Sequence, residues 1–156
     1  MRRCVFLDRD GVINVKPKAG EYIRSWREFR LIPEVVDWIR LFNALGLLVI
    51  VVTNQRGVAR GLMSLADLEE IHSRMRAELT DRGAFIDDLF CCVHDEGVCD
   101  CRKPGVGMIR EAARKWQIDT PASIMIGDSD VDRELAQRSG MRFVLVNEGK
   151  MSEVQA

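Results

Sequence analysis

Val5-Phe6-Leu7-Asp8-Arg9-Asp10-Gly11-Val12-Ile13-Asn14 is the stretch on which the fold turns. The apolar run from Cys4 to Leu7 stops abruptly at a carboxylate. A second carboxylate follows two positions later, and Gly11 frees the backbone to turn. A short apolar run bounded by turn chemistry has the signature of a buried strand. Side chains at i and i+2 of an extended chain point the same way, so Asp8 and Asp10 lean into one space at the strand's end. Two carboxylates that close repel unless a cation lies between them or one keeps its proton. Taken alone, the same residues also suit an Asp-x-Asp-Gly turn that only caps the strand. The later segments must separate the two.

At 156 residues the chain fits one domain, spanning 1–156, with enough length to bury a core without staples. Its net charge of −1 supplies no broad basic surface for nucleic acid or an anionic membrane, so any anion site must be a local cluster. The apolar run behind Arg2 and Arg3 ends at Asp8, too short for a signal peptide. The longest apolar stretch, Leu45 to Val52, is far short of a membrane span. A cytoplasmic location is expected. Cys91, Cys92, Cys99 and Cys101 crowd together around His94, which in a reducing compartment suggests metal before disulfides.

Strand and helix signals alternate along the chain. Lys16 to Leu31 is polar and irregular, with Tyr22, Trp26 and Phe29 among arginines, and loops of that length in compact domains are usually functional. Pro33 opens a helix whose Val35, Trp38, Ile39, Phe42 and Leu45 recur at helical spacing until Gly46. Leu47–Val52 reads as a buried central strand that runs into Thr53-Asn54-Gln55-Arg56-Gly57-Val58-Ala59-Arg60-Gly61. Ser64 and Asp67 resemble a capping box ahead of a helix striped with Leu65, Leu68, Ile71, Met75 and Leu79. His72 flanks that stripe and is assigned to packing. A third strand is predicted over Leu89–Val93 and a helix from about Val106. A fourth strand, Ile124–Ile126, ends in Gly127-Asp128. A short helix over Val131–Arg138 and a last strand over Phe143–Val146 follow. Such alternation implies an α/β, three-layer parallel sheet with helices on both faces. Ligands bind such sheets beyond the carboxyl ends of the strands, where strand order reverses. Asp8, Thr53 and Asp128 all end strands at that edge.

A phosphate ester bound there needs a nucleophile, neutralised oxygens and a proton for its leaving group. Asp8 can supply the nucleophile, since aspartyl-phosphate is an established intermediate type. Asp10 can protonate the leaving oxygen and then deprotonate the attacking water. Asp128, with Asp132 one helical turn later, offers hard oxygen ligands suited to Mg²⁺. Lys103 offers a fixed positive charge and Thr53 a hydroxyl donor. Singly, each has an ordinary explanation: a surface lysine, a strand-end hydroxyl, an acid at a helix N-terminus. The set points to chemistry.

Asp8-Arg9-Asp10-Gly11, Thr53-Asn54-Gln55, Lys103 and Gly127-Asp128-Ser129-Asp130-Val131-Asp132 resemble, in order, the four motifs of the haloacid dehalogenase (HAD) superfamily. The match runs from Phe6 to Val146, and the second aspartate of the first motif resembles the phosphatase branch. The resemblance implies a Rossmann-like, capless HAD fold and an aspartyl-phosphate mechanism. It also implies Mg²⁺ held by Asp8, Asp128 and the backbone carbonyl of Asp10, with Asp132 supporting. Cys92-Val93-His94 with Cys99-Asp100-Cys101-Arg102-Lys103-Pro104 resembles the zinc loop of the HAD phosphatases that act on heptose 1,7-bisphosphate or histidinol phosphate. Three thiolates and an imidazole form a closed tetrahedral set typical of structural Zn²⁺, which would fold the loop and hold Arg102 and Lys103 at the rim of the site. A reduced cluster with His94 on the surface is the alternative. Cys4 and Cys91 are read as small hydrophobes.

The segment from Thr53 to Gly61 resembles the heptose bisphosphatase version. Asn54, Gln55, Arg56, Arg102 and Lys103 are the candidate substrate-binding residues, since guanidinium matches a second phosphate in a bidentate way. Arg56 and Arg60 would also suit a solvated loop. The four residues between His94 and Cys99 make a gap nearer the histidinol type. The Lys16–Leu31 loop is slightly longer than usual, and the chain stops soon after its last predicted strand, without an expected C-terminal tail. The expectation is an Mg²⁺-dependent phosphomonoester hydrolase that removes the 7-phosphate of D-glycero-D-manno-heptose 1,7-bisphosphate. The alternatives are a phosphatase for histidinol phosphate or another small monoester, and a non-catalytic zinc-stapled binding domain. The expected partner is a small phosphorylated metabolite, and the expected state a monomer.

Overall fold

Alternating side chains of two central strands divide the core. In the computed structural model, which describes residues 1–155, these are β1 (Cys4–Leu7) and β2 (Leu48–Asn54). Cys4, Phe6, Leu48, Ile50 and Val52 face one side, against Met108, Ile109 and Ala112 of α3 (Gly107–Trp116) and Leu135 and Ala136 of α4 (Asp130–Arg138). Val5, Leu7, Val49 and Val51 face the other, against Val35 and Ile39 of α1 (Pro33–Ala44) and Ile71, Met75 and Leu79 of α2 (Leu65–Asp81). Strands buried on both faces need apolar residues at consecutive positions, which is why β1 and β2 read as unbroken hydrophobic runs.

The remaining strands are β3 (Asp88–Cys92), β4 (Ile124–Gly127), β5 (Arg142–Asn147) and β6 (Lys150–Gln155), in the sheet order β3-β2-β1-β4-β5-β6. The chain adds β2 and β3 on one side of β1, then crosses back to add β4 on the other. All the pairings from β3 to β5 are parallel. Strand order therefore reverses between β1 and β4, the position at which such sheets open a crevice beyond their carboxyl ends. Asp8 follows β1 and Asp128 follows β4.

The sequence places the last strand at Phe143–Val146. The structure extends it to Asn147 and adds β6, antiparallel to β5. Glu148 and Gly149 link them, both with positive φ (48° and 80°). Two-residue hairpin loops favour that backbone because its twist matches the strands. The Lys16–Leu31 loop is tied at its base, where Val15 N donates to Arg30 O (2.8 Å) and Ile32 N to Ile13 O (2.8 Å). Ile23 and Phe29 anchor it in the core, and the Trp26 and Phe29 rings stack at 4.9 Å. No helix among the described residues is long and apolar enough to cross a membrane.

The predicted capping box is present: Asp67 N donates to Ser64 Oγ (3.0 Å) and Ser64 N donates to Asp67 Oδ2 (2.9 Å). Ser64→Ala is expected to cost about 1 kcal/mol. Urea unfolding should show a lower midpoint at unchanged m-value. An unchanged midpoint would show that the reciprocal cap adds nothing to α2.

Candidate active site and metal centres

Lys103 lies at the centre of the site, 4% exposed, where the sequence had put it at the rim. Its three N–H donors each find an acceptor: Asp8 Oδ1 (2.9 Å), Asp132 Oδ1 (2.8 Å) and Val52 O (3.1 Å). The inward course is set by Asn54 at the tip of β2. Its side chain accepts from Lys103 N (2.9 Å) and donates to Lys103 O (3.2 Å). Burial disfavours the ammonium, but Asp132 and Asp8 more than offset this and hold the Lys103 pKa above its ordinary value. Asp8 accepts a further bond from Arg9 N at Oδ1 (2.8 Å). Burial and the Asp132 charge push Asp8 well above the usual carboxylate range, against the pull of Lys103. A second cation would relieve that pressure.

Asp128 lies across the crevice. Its Oδ1 is buried and finds no hydrogen-bond partner among the described residues, while Oδ2 accepts from Lys16 Nζ (2.9 Å). Asp8, Asp128 and Asp132 each bring one carboxylate oxygen within 4.8 Å of the others. Three converging carboxylates, two of them sharing one buried ammonium and the third with an unpartnered oxygen, fit a hard divalent cation. Both Asp132 oxygens are already engaged, Oδ1 by Lys103 and Oδ2 by Asp128 N (3.3 Å) and Ser129 Oγ (3.1 Å). It braces the site from behind. Two glycines make the approach possible. A Cβ on Gly11 (φ 89°) would lie 2.2 Å from Asp128 Oδ2, and one on Gly127 2.3 Å from Asp132 Cβ.

Asp10 is gripped from three directions at one oxygen. Arg9 Nε (3.1 Å), Arg9 Nη2 (2.9 Å) and Asn14 Nδ2 (2.9 Å) all donate to Oδ1. Gln55 Nε2 donates to Asp10 Oδ2 (3.3 Å) and to Thr53 Oγ1 (2.9 Å), so Gln55 is turned inward and buried. Burial would raise the Asp10 pKa, but the Arg9 guanidinium and the hydrogen bonds hold it below its ordinary value. Arg9, Asn14 and His72 were missed as site residues in the sequence. Their roles depend on contacts that periodicity does not encode.

Beyond Asp10 a cavity of about 490 Å³ has Lys16, Lys18, Tyr22, Asn54, Arg56 and Arg102 in its lining, with Asp10 and Glu21 as the acidic members. The loop of the zinc-type motif supplies acidic neighbours to these cations. Arg56 Nη1 lies 2.6 Å from Glu96 Oε1, and Arg56 Nε donates to Tyr22 Oη (2.9 Å). Arg102 Nη2 is 4.0 Å from the same carboxylate, and its Nη1 is buried with no partner among the described residues. Arg60 pairs loosely with Asp95 (3.8 Å).

Cys92, His94, Cys99 and Cys101 converge at the end of β3. Cys92 Sγ lies 3.1 Å from Cys101 Sγ and 3.5 Å from Cys99 Sγ, with 3.3 Å between Cys99 and Cys101. His94 Nδ1 is 3.2 Å from Cys101 Sγ and 3.5 Å from Cys92 Sγ. These separations are far beyond a disulfide bond of about 2.05 Å. They are shorter than the edges of about 3.8 Å of a tetrahedron with metal–sulfur bonds of about 2.3 Å, so the four donors already converge on one centre. The donor set fits zinc. Cys91 faces away, its thiol pushed up to about 12 chiefly by burial.

Every motif segment thus meets at one sheet edge, and the fold and site define a phosphatase of the HAD type. The HAD-hydrolase-like family model matches residues 100–156. The D-glycero-beta-D-manno-heptose-1,7-bisphosphate 7-phosphatase of Rhodopseudomonas palustris is 43% identical over 90% of this chain and 81% of its own length. The D-glycero-alpha-D-manno-heptose-1,7-bisphosphate 7-phosphatase of Mycobacterium bovis is 41% identical, over 85% of this chain and 70% of its own. The crystal structure of D,D-heptose 1,7-bisphosphate phosphatase from B. bronchiseptica, complexed with magnesium and phosphate, superposes with a TM-score of 0.87. It is 34% identical and covers 94% of this chain and 83% of that one. The chain belongs to the haloacid dehalogenase-like hydrolases, in the family of the D-glycero-D-manno-heptose-1,7-bisphosphate 7-phosphatases.

His72 gives this site a pH signature. Burial and the neighbouring Arg9 charge lower its pKa from 6.5 to about 3. Between those values the unfolded chain binds a proton there that the folded chain does not, so stability falls as pH drops through the window. From pH 7.5 to pH 4.5, the native chain should lose on the order of 2 kcal/mol relative to His72→Gln. Parallel stability curves for the two proteins would contradict this.

Proposed function

We propose that this chain removes the 7-phosphate of D-glycero-D-manno-heptose 1,7-bisphosphate by way of an aspartyl-phosphate. The observation that carries the chemistry is Lys103 bridging Asp8 and Asp132 opposite the unpartnered oxygen of Asp128. Lys103 and Arg9 N bind Asp8 at Oδ1, which leaves Oδ2 to attack phosphorus as the ester P–O bond breaks. The negative charge of the bound phosphoryl group favours the acid form of Asp10, which donates its proton to the departing sugar oxygen. Asp10 then takes one from the water that attacks the acyl phosphate, so the reaction ends with inorganic phosphate and a restored Asp8. Thr53 Oγ, which accepts from Gln55, has its own proton free for a phosphoryl oxygen. The carboxylates of Asp8 and Asp128 and the backbone carbonyl of Asp10 would hold Mg²⁺, with Asp132 in support. When bound, the ion supplies positive charge that screens the phosphoryl oxygens from the carboxylates.

A bisphosphate substrate is supported by the cavity beside Asp10, where Arg56, Arg102, Lys16 and Lys18 offer positive charge for a second phosphate. That phosphate would take over the arginines from Glu96. The short gap between His94 and Cys99 is the feature that favours histidinol phosphate as a second reading. Cys92, His94, Cys99 and Cys101 would carry one structural Zn²⁺ that folds the loop bearing Arg102 and Lys103. The same reading makes the chain a single-domain (residues 1–156), monomeric enzyme of the cytoplasm, where thiolate ligands stay reduced. Its partner is a small phosphorylated metabolite rather than nucleic acid or membrane, in line with a net charge of −1.

Phosphate release with Mg²⁺ should be fastest with heptose 1,7-bisphosphate in a panel that includes histidinol phosphate and common sugar phosphates. Asp8→Asn should abolish it while leaving a cooperative unfolding transition. Turnover retained by that variant rules out the covalent route, and a preference for histidinol phosphate reassigns the substrate. Elemental analysis should find one zinc per chain, lost together with thermal stability on replacing Cys99 and Cys101 by serine. A zinc-free native protein would leave the loop as a reduced cysteine cluster.

A further inference from the structure

Arg9 stands between the two motif aspartates, yet its side chain is wholly buried. A guanidinium in that position must have its donors satisfied internally. Nε and Nη2 both go to one atom, Asp10 Oδ1, at 3.1 and 2.9 Å. Nη1 goes to His72 Nε2 at 3.0 Å. Guanidinium carries no acceptor, so His72 Nε2 must present its lone pair and the ring proton must sit on Nδ1. Helix α2 thus supplies a neutral acceptor to the far end of the arginine. Leu68, Ile71 and Met75 fix that helix in the core.

The consequence falls on Asp10. Arg–carboxylate pairs commonly use both oxygens, one donor to each. Here both Arg9 donors converge on Oδ1, and Asn14 Nδ2 adds a third at 2.9 Å. Oδ1 has no room left for a proton. Oδ2 receives a single long bond from Gln55 (3.3 Å).

We propose that His72 and Arg9 are positioning residues for proton transfer: His72 fixes the guanidinium, Arg9 occupies Oδ1 of Asp10, and the proton is delivered through Oδ2 alone. This rests on Asp10 being the acid that serves the leaving group. Without the His72 acceptor the guanidinium is free to rotate towards a two-oxygen grip, and Oδ2 becomes engaged as well. Proton delivery then suffers while binding of the phosphoryl group does not.

Leaving groups separate this role from a structural one. A sugar phosphate leaves as an alkoxide and needs the proton; p-nitrophenyl phosphate leaves as a stable phenolate and hardly needs it. The measurement is kcat/KM, which reports steps through formation of the phospho-enzyme. It is made for p-nitrophenyl phosphate and for the sugar phosphate preferred in the release panel. His72→Leu should lower the sugar phosphate value at least about tenfold more than the aryl value. His72→Gln, whose amide oxygen can accept from Arg9, should restore the ratio. Arg9→Lys, whose compact ammonium cannot span His72 and Asp10, should behave like His72→Leu, and it carries the test if the leucine variant does not fold. Equal losses on both substrates, or no rescue by glutamine, overturn the proposal. Asp10→Asn separates it from the underlying reading. An unchanged ratio in that variant removes Asp10 as the acid and the proposal with it. A ratio that falls in Asp10→Asn but not in His72→Leu or Arg9→Lys overturns the proposal alone.

Discussion

Lys103 is buried among acceptors, with an ammonium hydrogen on Asp8, another on Asp132 and the third on a main-chain carbonyl of β2. Two carboxylates that close in a low-dielectric crevice repel, and the ammonium placed between them offsets that repulsion. The rest of the site follows from placing that charge. Asn54 holds the lysine's backbone by both its polar groups, which couples the tip of β2 to the segment behind the cysteine loop. Cys92 pairs in register with Asn54, so the Cys/His cluster and the lysine hang from the same two strand ends. A metal that rigidifies this loop would therefore act on Lys103 without touching the phosphoryl group.

The opposite flank is organised by a second buried cation. Arg9 serves Asp10 as Lys103 serves Asp8, so neighbouring carboxylates are addressed by separate positive charges from separate parts of the fold. The two aspartates have opposite tendencies as a result: Asp8 is raised by burial and by Asp132, while Asp10 is lowered by Arg9. A nucleophile must be ionised and an acid protonated, so those roles would call for further charge at the site: a divalent cation beside Asp8 and a phosphoryl group beside Asp10 would each shift the pair in the required direction. Asp128 completes the ring only because Gly11 and Gly127 leave space where a Cβ would collide with a carboxylate.

Much of this was legible in the chain. Unbroken apolar runs announced strands buried on two faces, and helical stripes announced the layers that cover them, because burial dictates hydrophobic period directly. Polar residues at the ends of β1, β2 and β4 pointed to one sheet edge. The four-residue Cys/His set was visible from its spacing. β6 was not visible, since a short edge strand is specified by the partner it pairs with and by a two-residue turn. Lys103 was located in sequence but not in depth, because burial of a lysine depends on acceptors that lie 29 and 95 positions away.

Sequence by itself determined the class of fold, the order of the motif segments and the chemical types gathered at the strand ends, since each is a local property of pattern and residue identity. Tertiary structure decided which oxygen each cation takes and that His72 faces Arg9 rather than only filling the core. It also decided that the arginines beside Asp10 are met by Glu96. Those are outcomes of distance and direction between remote segments. They are settled by how the layers pack, and no periodicity along the chain carries them.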